Sequence, residues 1–412
     1  MMLRTGAYLA SLITFTFGLT ACQEAPTDVA AQIPGLSGIR IVRAGTYFSL
    51  AVGNDGTLWA WGDNTYGQLG VASNDTCGEA ATPCTKEPVK VPFPNTHVLE
   101  IAAGYRHALA TGQDQTSRQN SLWAWGDNSF GQLGDGTLTS RPTPVMIDAG
   151  AQGGVDAGAW HSLFWGIDGT LAEWGSHLIF TTEPSPCVLA PEPGNIRCNL
   201  APTLVPGVTV RSAAAGSTHT LSNSRRGAEP QVCGWGFNDF GEAGTSRGPI
   251  VQPLCRPFPV EVVRLSGGDG FSVALEADGT ALTWGLNDRR QLGFIDALDL
   301  CWSRPCSLEP RAVTDPTGAE ISWRLIDAGG AHVLGISSTG AVMAWGSDQF
   351  GQVGSPAVSG GGGTLMHRVQ TDASEALANI KWVSAGATHS LAVADDGTVW
   401  SWGDNFFGQL GR

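Results

Sequence analysis

Hydrophobic and polar positions alternate along this chain over short runs, and glycine interrupts them at regular intervals. In residues 385–411, AGATHSLAVADDGTVWSWGDNFFGQLG, Leu391 and Val393 alternate with small residues, the period-two pattern of a strand. Asp395-Asp396-Gly397 then predicts a hairpin turn that needs a positive φ. The return strand covers 399–402 and puts Trp400 and Trp402 on one face. A glycine-punctuated turn follows, residues 403–411 in this copy. Segments such as Glu87-Pro88-Val89-Lys90-Val91 predict a further strand, and residues 98–102 predict another that leads into the next Ala-Gly. Four antiparallel strands per unit result.

The unit repeats. Residues 44–70 match residues 385–411 almost position for position, and five more copies keep the same order. Trp-Gly recurs at Trp61, Trp125, Trp174, Trp235, Trp284, Trp345 and Trp402. Spread over the chain after Cys22, seven units average about 56 residues, within the range of propeller repeats. Three units depart locally. The third reads Trp174-Gly175-Ser176-His177 and loses Gly-Gln-Leu-Gly, the fourth has Glu242-Ala243 for Gln-Leu, and the fifth reads WGLNDRRQLG over 284–293.

The pattern A-G-x-x-H, a D-G-T hairpin, then W-G-x-N-x-x-G-Q-L-G resembles the regulator of chromosome condensation repeats over nearly the whole chain. The resemblance implies an all-β fold, a seven-bladed β-propeller of four-stranded antiparallel blades. The last copy ends close to the C-terminus, so residues 26–43 are expected to complete the last blade and close the ring by pairing the two termini.

The N-terminus adds a second signal. Residues 9–19 are apolar and too short to span a bilayer, and Leu19-Thr20-Ala21-Cys22 follows at once. This resembles the bacterial lipobox, which implies a signal peptide over 1–21, a lipid on the Cys22 thiol and a very short tether over 22–25. A single propeller over 26–412 would then lie close to a membrane in the cell envelope. Gln23, not Asp, after the lipidated residue favours the outer membrane, facing periplasm or exterior. Nine cysteines leave eight once Cys22 is lipidated. Cys77 and Cys84, Cys187 and Cys198, Cys233 and Cys255, and Cys301 and Cys306 lie close in sequence, so four local disulfides in an oxidising compartment are expected.

Composition narrows the chemistry. The net charge is -14 with only 23 Lys plus Arg, and no basic run could meet a phosphate backbone, which argues against a nucleic-acid partner. The recurring His107, His161, His219, His332 and His389 give way to Phe48 and Phe271 in the other two units and are spread around a ring, so we read them as structural histidines bonded to backbone and not as metal ligands. Asp55, Asp168, Asp278 and Asp396 read as turn formers. The glycines at 360–363 lack the Lys-Ser/Thr of a phosphate loop. With no nucleophile elbow, zinc-helix or Walker motif, neither an enzyme nor a cofactor is expected, and no metal.

What varies is one face. Turns after Ala-Gly and after Trp-Gly open on the same end of the ring, the Asp-Gly-Thr hairpins on the other. The long insertions, 71–87, 176–201, 245–257, 294–310 and 355–367, all follow Trp-Gly and hold every paired cysteine except Cys233. The residue before each repeat histidine position varies and includes Tyr47, Arg106 and Trp160, residue types typical of binding hot spots. Insert residues Phe180, Arg256, Phe258, Trp302 and Arg304 extend that surface. A protein partner is therefore expected, bound by Tyr47, Arg106, Trp160, Phe258, Trp302 and Arg304. Alternatives are a glycan-binding envelope propeller, which would repeat one polar and aromatic set in every blade, and a nucleotide-exchange regulator like the family's namesake.

Overall fold

A computed structural model of the chain describes residues 27–73, 75–78, 80–177, 197–227, 229–244, 247–294, 299–356 and 363–412. It contains seven antiparallel sheets in a ring, as the repeat count predicts. Blade 1 comprises Ile39–Ala44, Phe48–Gly53, Leu58–Asp63 and Thr82–Lys90 from axis to rim. The inner strands of blades 2 to 7 are Thr96–Ala103, Gly153–Ala157, Val210–Ala215, Val262–Gly267, Trp323–Ala328 and Ile380–Ala385. Among the described residues no helix is long and apolar enough to cross a membrane.

The ring closes through the termini. Thr27–Gln32 lies antiparallel to Val399–Gly403 and is the outer strand of blade 7, with Ala31 opposite Ser401 and Gln32 opposite Trp400. The division of 26–43 differs from expectation: only its first part completes the last blade. Ile39–Ala44 pairs with Phe48–Gly53 and is the inner strand of blade 1. Its apolar residues Ile39, Ile41 and Val42 are all buried, which suits an axial strand. Two blades also exceed four strands. Asp75–Cys77 and Asp299–Cys301 each form a short fifth strand on the rim strand of blades 1 and 5.

The core is divided between the blades. Among the described residues it forms seven apolar clusters, one at each interface between neighbouring blades. All seven Trp-Gly tryptophans are fully buried there. Each buries roughly 200 Å² of ring, on the order of 5 kcal/mol of gross hydrophobic stabilisation before chain entropy is subtracted. The glycine that follows is obligatory. At Gly346 φ is 104°, and a Cβ would sit 2.5 Å from the Ala331 carbonyl oxygen.

A polar latch crosses the same interfaces. The Trp402 Nε1–H donates to the Gln352 carbonyl of the preceding blade at 2.9 Å, and the Ser390 hydroxyl donates to that carbonyl at 2.8 Å. With its proton so engaged, the hydroxyl accepts from His332 Nε2 at 2.9 Å. His107–Ser162, His161–Thr220, His219–Ser272 and His389–Ser49 repeat the contact. This corrects the expected backbone partner: the histidine ring bonds the hydroxyl of the next blade. Where Phe48 or Phe271 replaces histidine, the next blade supplies Ala108 or Val333, both fully buried. In blade 3, where Gly-Gln-Leu-Gly is lost, the buried Glu173 carboxylate stands in for the missing carbonyl and accepts from Thr220 Oγ1 at 2.7 Å and Trp235 Nε1 at 2.8 Å.

Candidate functional site: the loop face

Because strands run antiparallel, the connections after the first and third strands of every blade open on one face. Two of the three disulfides seen among the described residues stiffen this side. Cys77 joins Cys84 and Cys301 joins Cys306, each tying a fifth strand to its neighbour. Cys233 joins Cys255 across paired strands of blade 4, so Cys255 lies in a strand and not in a free insertion. Cys198 is disulfide-bonded; Cys187, Phe180 and Cys22 lie outside the described residues.

Tyr47, Arg106 and Trp160 belong to one aromatic patch over blades 7, 1, 2 and 3. The Arg106 guanidinium lies 4.5 Å from the Tyr66 ring centroid, 4.9 Å from Tyr105 and 6.0 Å from Trp160, and donates to the Tyr66 hydroxyl at 2.9 Å. Trp160 in turn packs on Tyr105 and Phe130 at 5.0 and 4.9 Å. Tyr47 continues the patch through Phe407 at 5.0 Å, and Phe407 meets Phe406 at 4.8 Å. Burial, the largest influence, raises the Tyr47 hydroxyl above its ordinary value, so it remains a protonated donor at neutral pH. Such a surface has aromatic area and a guanidinium already ordered by stacking, which reduces the side-chain entropy lost on binding.

Sequence reasoning missed Tyr66, Phe130 and Phe407. The signal was present in the turn after Trp-Gly, where the residue before Gly-Gln or Gly-Glu is aromatic at Tyr66, Phe130, Phe240, Phe350 and Phe407. All five are half-buried. Their backbone N–H groups bond the Gln or Glu side chain two residues later, which fixes the turn and points the ring outward.

Trp302 and Arg304 form a second cluster, over blades 4 and 5. Trp302 is 72% exposed and Leu300 is 68% exposed on the fifth strand of blade 5. Trp302 and Ser303 make the hairpin turn with φ of 51° and 68°, a left-handed backbone that non-glycine residues seldom adopt. The strained turn and the disulfide beneath it hold the indole out in solvent. Arg304 is anchored: its Nε donates to Asp288 at 3.2 Å and its guanidinium lies 5.0 Å from the Phe240 ring centroid.

Phe258 is a correction. It is buried in the interface between blades 4 and 5, 6.4 Å from Trp284, because it packs inward as the chain enters blade 5. It presents no surface to a partner. Arg256 also lies inward over Phe258 and Trp284, and burial lowers its pKa to about 10.

The arrangement is recognition chemistry on a rigid ring. Among the described residues no group of three or more His, Cys, Asp or Glu is placed to hold a metal. Fold and face together define a seven-bladed propeller with one decorated face. Patterns described as "Regulator of chromosome condensation (RCC1) repeat" match residues 55–111 and 119–165, and residues 39–68, 323–352 and 380–409. The chain carries repeats of this family. It is 27% identical over 345 residues to the Ultraviolet-B receptor UVR8 of Arabidopsis thaliana, covering 78% of this chain and 68% of that protein. It is 25% identical over 381 residues to the E3 ubiquitin-protein ligase HERC2 of Homo sapiens, covering 88% of this chain but only 7% of that protein. The crystal structure of Prp20p from Saccharomyces cerevisiae has the same fold, with a TM-score of 0.67 at 19% identity over 89% of this chain and 82% of that one.

Proposed function

We propose that this protein is a membrane-anchored, extracytoplasmic interaction module that binds a protein partner with its loop face and catalyses no reaction. The observation that carries the reading is the ordered patch of Arg106 among Tyr66, Tyr105 and Trp160, with the exposed Trp302 as a second anchor. Aromatic and arginine anchors concentrate binding energy in protein interfaces. Prp20p, which shares the fold, has binding properties toward Gsp1p and histones, so a propeller of this shape can offer its surface to proteins. The lipobox-like Leu19-Thr20-Ala21-Cys22 supports a lipid on Cys22 and a place in the cell envelope, and Gln23 favours the outer membrane.

The test is capture from detergent-solubilised envelope of the source organism, with the disulfide-bonded mature chain as bait. A second bait carries Arg106→Ala, Trp160→Ala and Trp302→Ala and is matched to the first in thermal stability. One protein retained by the first bait and lost from the second supports the reading. Retention of glycan fragments alone favours the lectin alternative, and equal retention by both baits rules out the loop face.

A further inference from the structure

The inner strands and Ala-Gly turns of the blades surround a cavity of about 290 Å³ on the propeller axis. Four charged side chains from four blades line it: Arg43, Asp156, Arg264 and Asp327. Their pairing is uneven. Arg264 is matched, donating to Asp327 Oδ1 at 3.2 Å and to the Ile326 carbonyl at 2.9 Å. The other Asp327 oxygen accepts from the Ala385 N–H at 3.0 Å. Asp156 accepts the N–H groups of Ala157 and Ala215 at 3.0 and 2.9 Å, so its oxygens are engaged by the backbone. Arg43 has no carboxylate within ion-pair distance among the described residues, and its hydrogen bond is to the Val42 carbonyl at 3.3 Å.

Arg43 is also held in place. Its guanidinium and that of Arg264 both lie 4.9 Å from the Trp382 ring centroid, and the Trp382 indole N–H is fixed on the Val42 carbonyl at 3.2 Å. A guanidinium has five N–H donors in a planar fork that matches an oxyanion. Here most of that fork is uncommitted, ordered by stacking and turned into a cavity with room for a small molecule. Burial and the nearby Arg264 disfavour its charge, and although Asp327, Asp156 and Glu100 favour it electrostatically, none comes close enough to pair with the fork.

We propose that the axial cavity is a binding site for a small oxyanion, a carboxylate or phosphate group, held by Arg43. Trp382 positions the fork, and Arg264 adds positive potential without giving up its bond to Asp327. The two aspartates are already engaged, but they still carry charge, which disfavours a dianion relative to a monoanion. Selection for carboxylate over phosphate at neutral pH follows.

Calorimetric titration of the mature protein with acetate and, separately, with inorganic phosphate at pH 7.5 tests this, with chloride at matched ionic strength as the control. Saturable binding is expected, tighter for acetate, with at least a tenfold loss of affinity in Arg43→Gln and partial recovery in Arg43→Lys. Phosphate binding tighter than acetate would keep the site but overturn the monoanion preference. Intrinsic tryptophan fluorescence of the wild type gives a second readout, expected to change with acetate and not with chloride and to lose that change in Trp382→Phe, which guards against misfolding of the Arg43 variants. No saturable oxyanion binding to the wild-type protein, or equal affinity in Arg43→Gln, overturns the site.

Discussion

At the scale of single residues, the repeat assigns each position a job, and its exceptions show what the job is. Glu242 occupies the position held by glutamine in the other intact turns. It accepts the Phe240 N–H at 2.8 Å, as the glutamines accept theirs, but burial raises its pKa to about 7. A folded-state pKa above the unfolded 4.5 means that folding takes up a proton between these values, and stability is lost as pH rises through 7. Glu242→Gln should therefore raise the thermal midpoint at pH 8, by the equivalent of roughly 1–2 kcal/mol, with the gain shrinking toward pH 5. Thermal unfolding of both proteins at the two pH values checks this; a gain independent of pH would contradict it. Glu173 is a different kind of exception. Its carboxylate replaces a lost carbonyl, a substitution visible only once Trp235 and Thr220 are seen to converge on it.

At the scale of the elements, the latch explains why the repeat histidine of one blade and the residue after the equivalent position in the next blade vary together around the ring. His332 with Ser390 and Phe271 with Val333 are two solutions to one interface, polar and apolar. His332→Phe or Ser390→Val alone should each cost roughly 1–3 kcal/mol, since Ser390→Val strands the buried His332 Nε2–H and His332→Phe takes the donor away from a buried hydroxyl that keeps only its bond to the Gln352 carbonyl. The double variant copies the apolar pair, and we expect it to recover at least about 1 kcal/mol relative to the sum of the singles. Denaturant unfolding of the four proteins measures the coupling, and strict additivity would refute the latch. The strands, hairpins and blade count were legible because period-two alternation and Asp-Gly turns are local signals. The latch was not, because its partners lie about 55 residues apart and meet only when neighbouring blades stack. The same holds for the binding face. Tyr47, Arg106 and Trp160 could be singled out by their variation, but the sequence does not show that Tyr66 and Phe130 complete their patch. Phe258 looked like a surface residue because an insertion precedes it, and packing against Trp284 decided otherwise.

For the whole molecule, the ring distributes its core over seven interfaces, so its response to acid is collective. Burial holds His107, His219, His332 and His389 down at about 3, against 6.5 for the unfolded chain. The unfolded state therefore binds more protons between those values. Stability is complete above pH 6.5 and falls as pH drops, by up to ~1.4 kcal/mol per pH unit for each histidine. Glu242 opposes this over part of the window, as do the carboxyls of Asp156, Asp269, Glu276 and Asp404, which burial also raises, so the net slope is smaller than the four histidines alone would give. The aspartates of the exposed hairpins have lowered pKa values, so they enter only below about 3.8. The thermal midpoint should fall steadily from pH 6.5 to 5; a flat profile would show that the buried imidazoles accept protons without unfolding.

The ring also has two faces of unlike character. One carries the aromatic patch and the stapled hairpins, the other the short Asp-Gly-Thr turns, and the central claim is that recognition belongs to the first. Site-specific photo-crosslinking in the envelope of the source organism tests it most directly, with the photoreactive residue at Trp160 or Trp302 on the loop face and at Asp278 or Asp396 on the hairpin face. We predict a discrete crosslinked protein from the loop-face positions and none from the hairpin-face positions. Adducts only from the hairpin face, or the same adducts from both, would contradict the account.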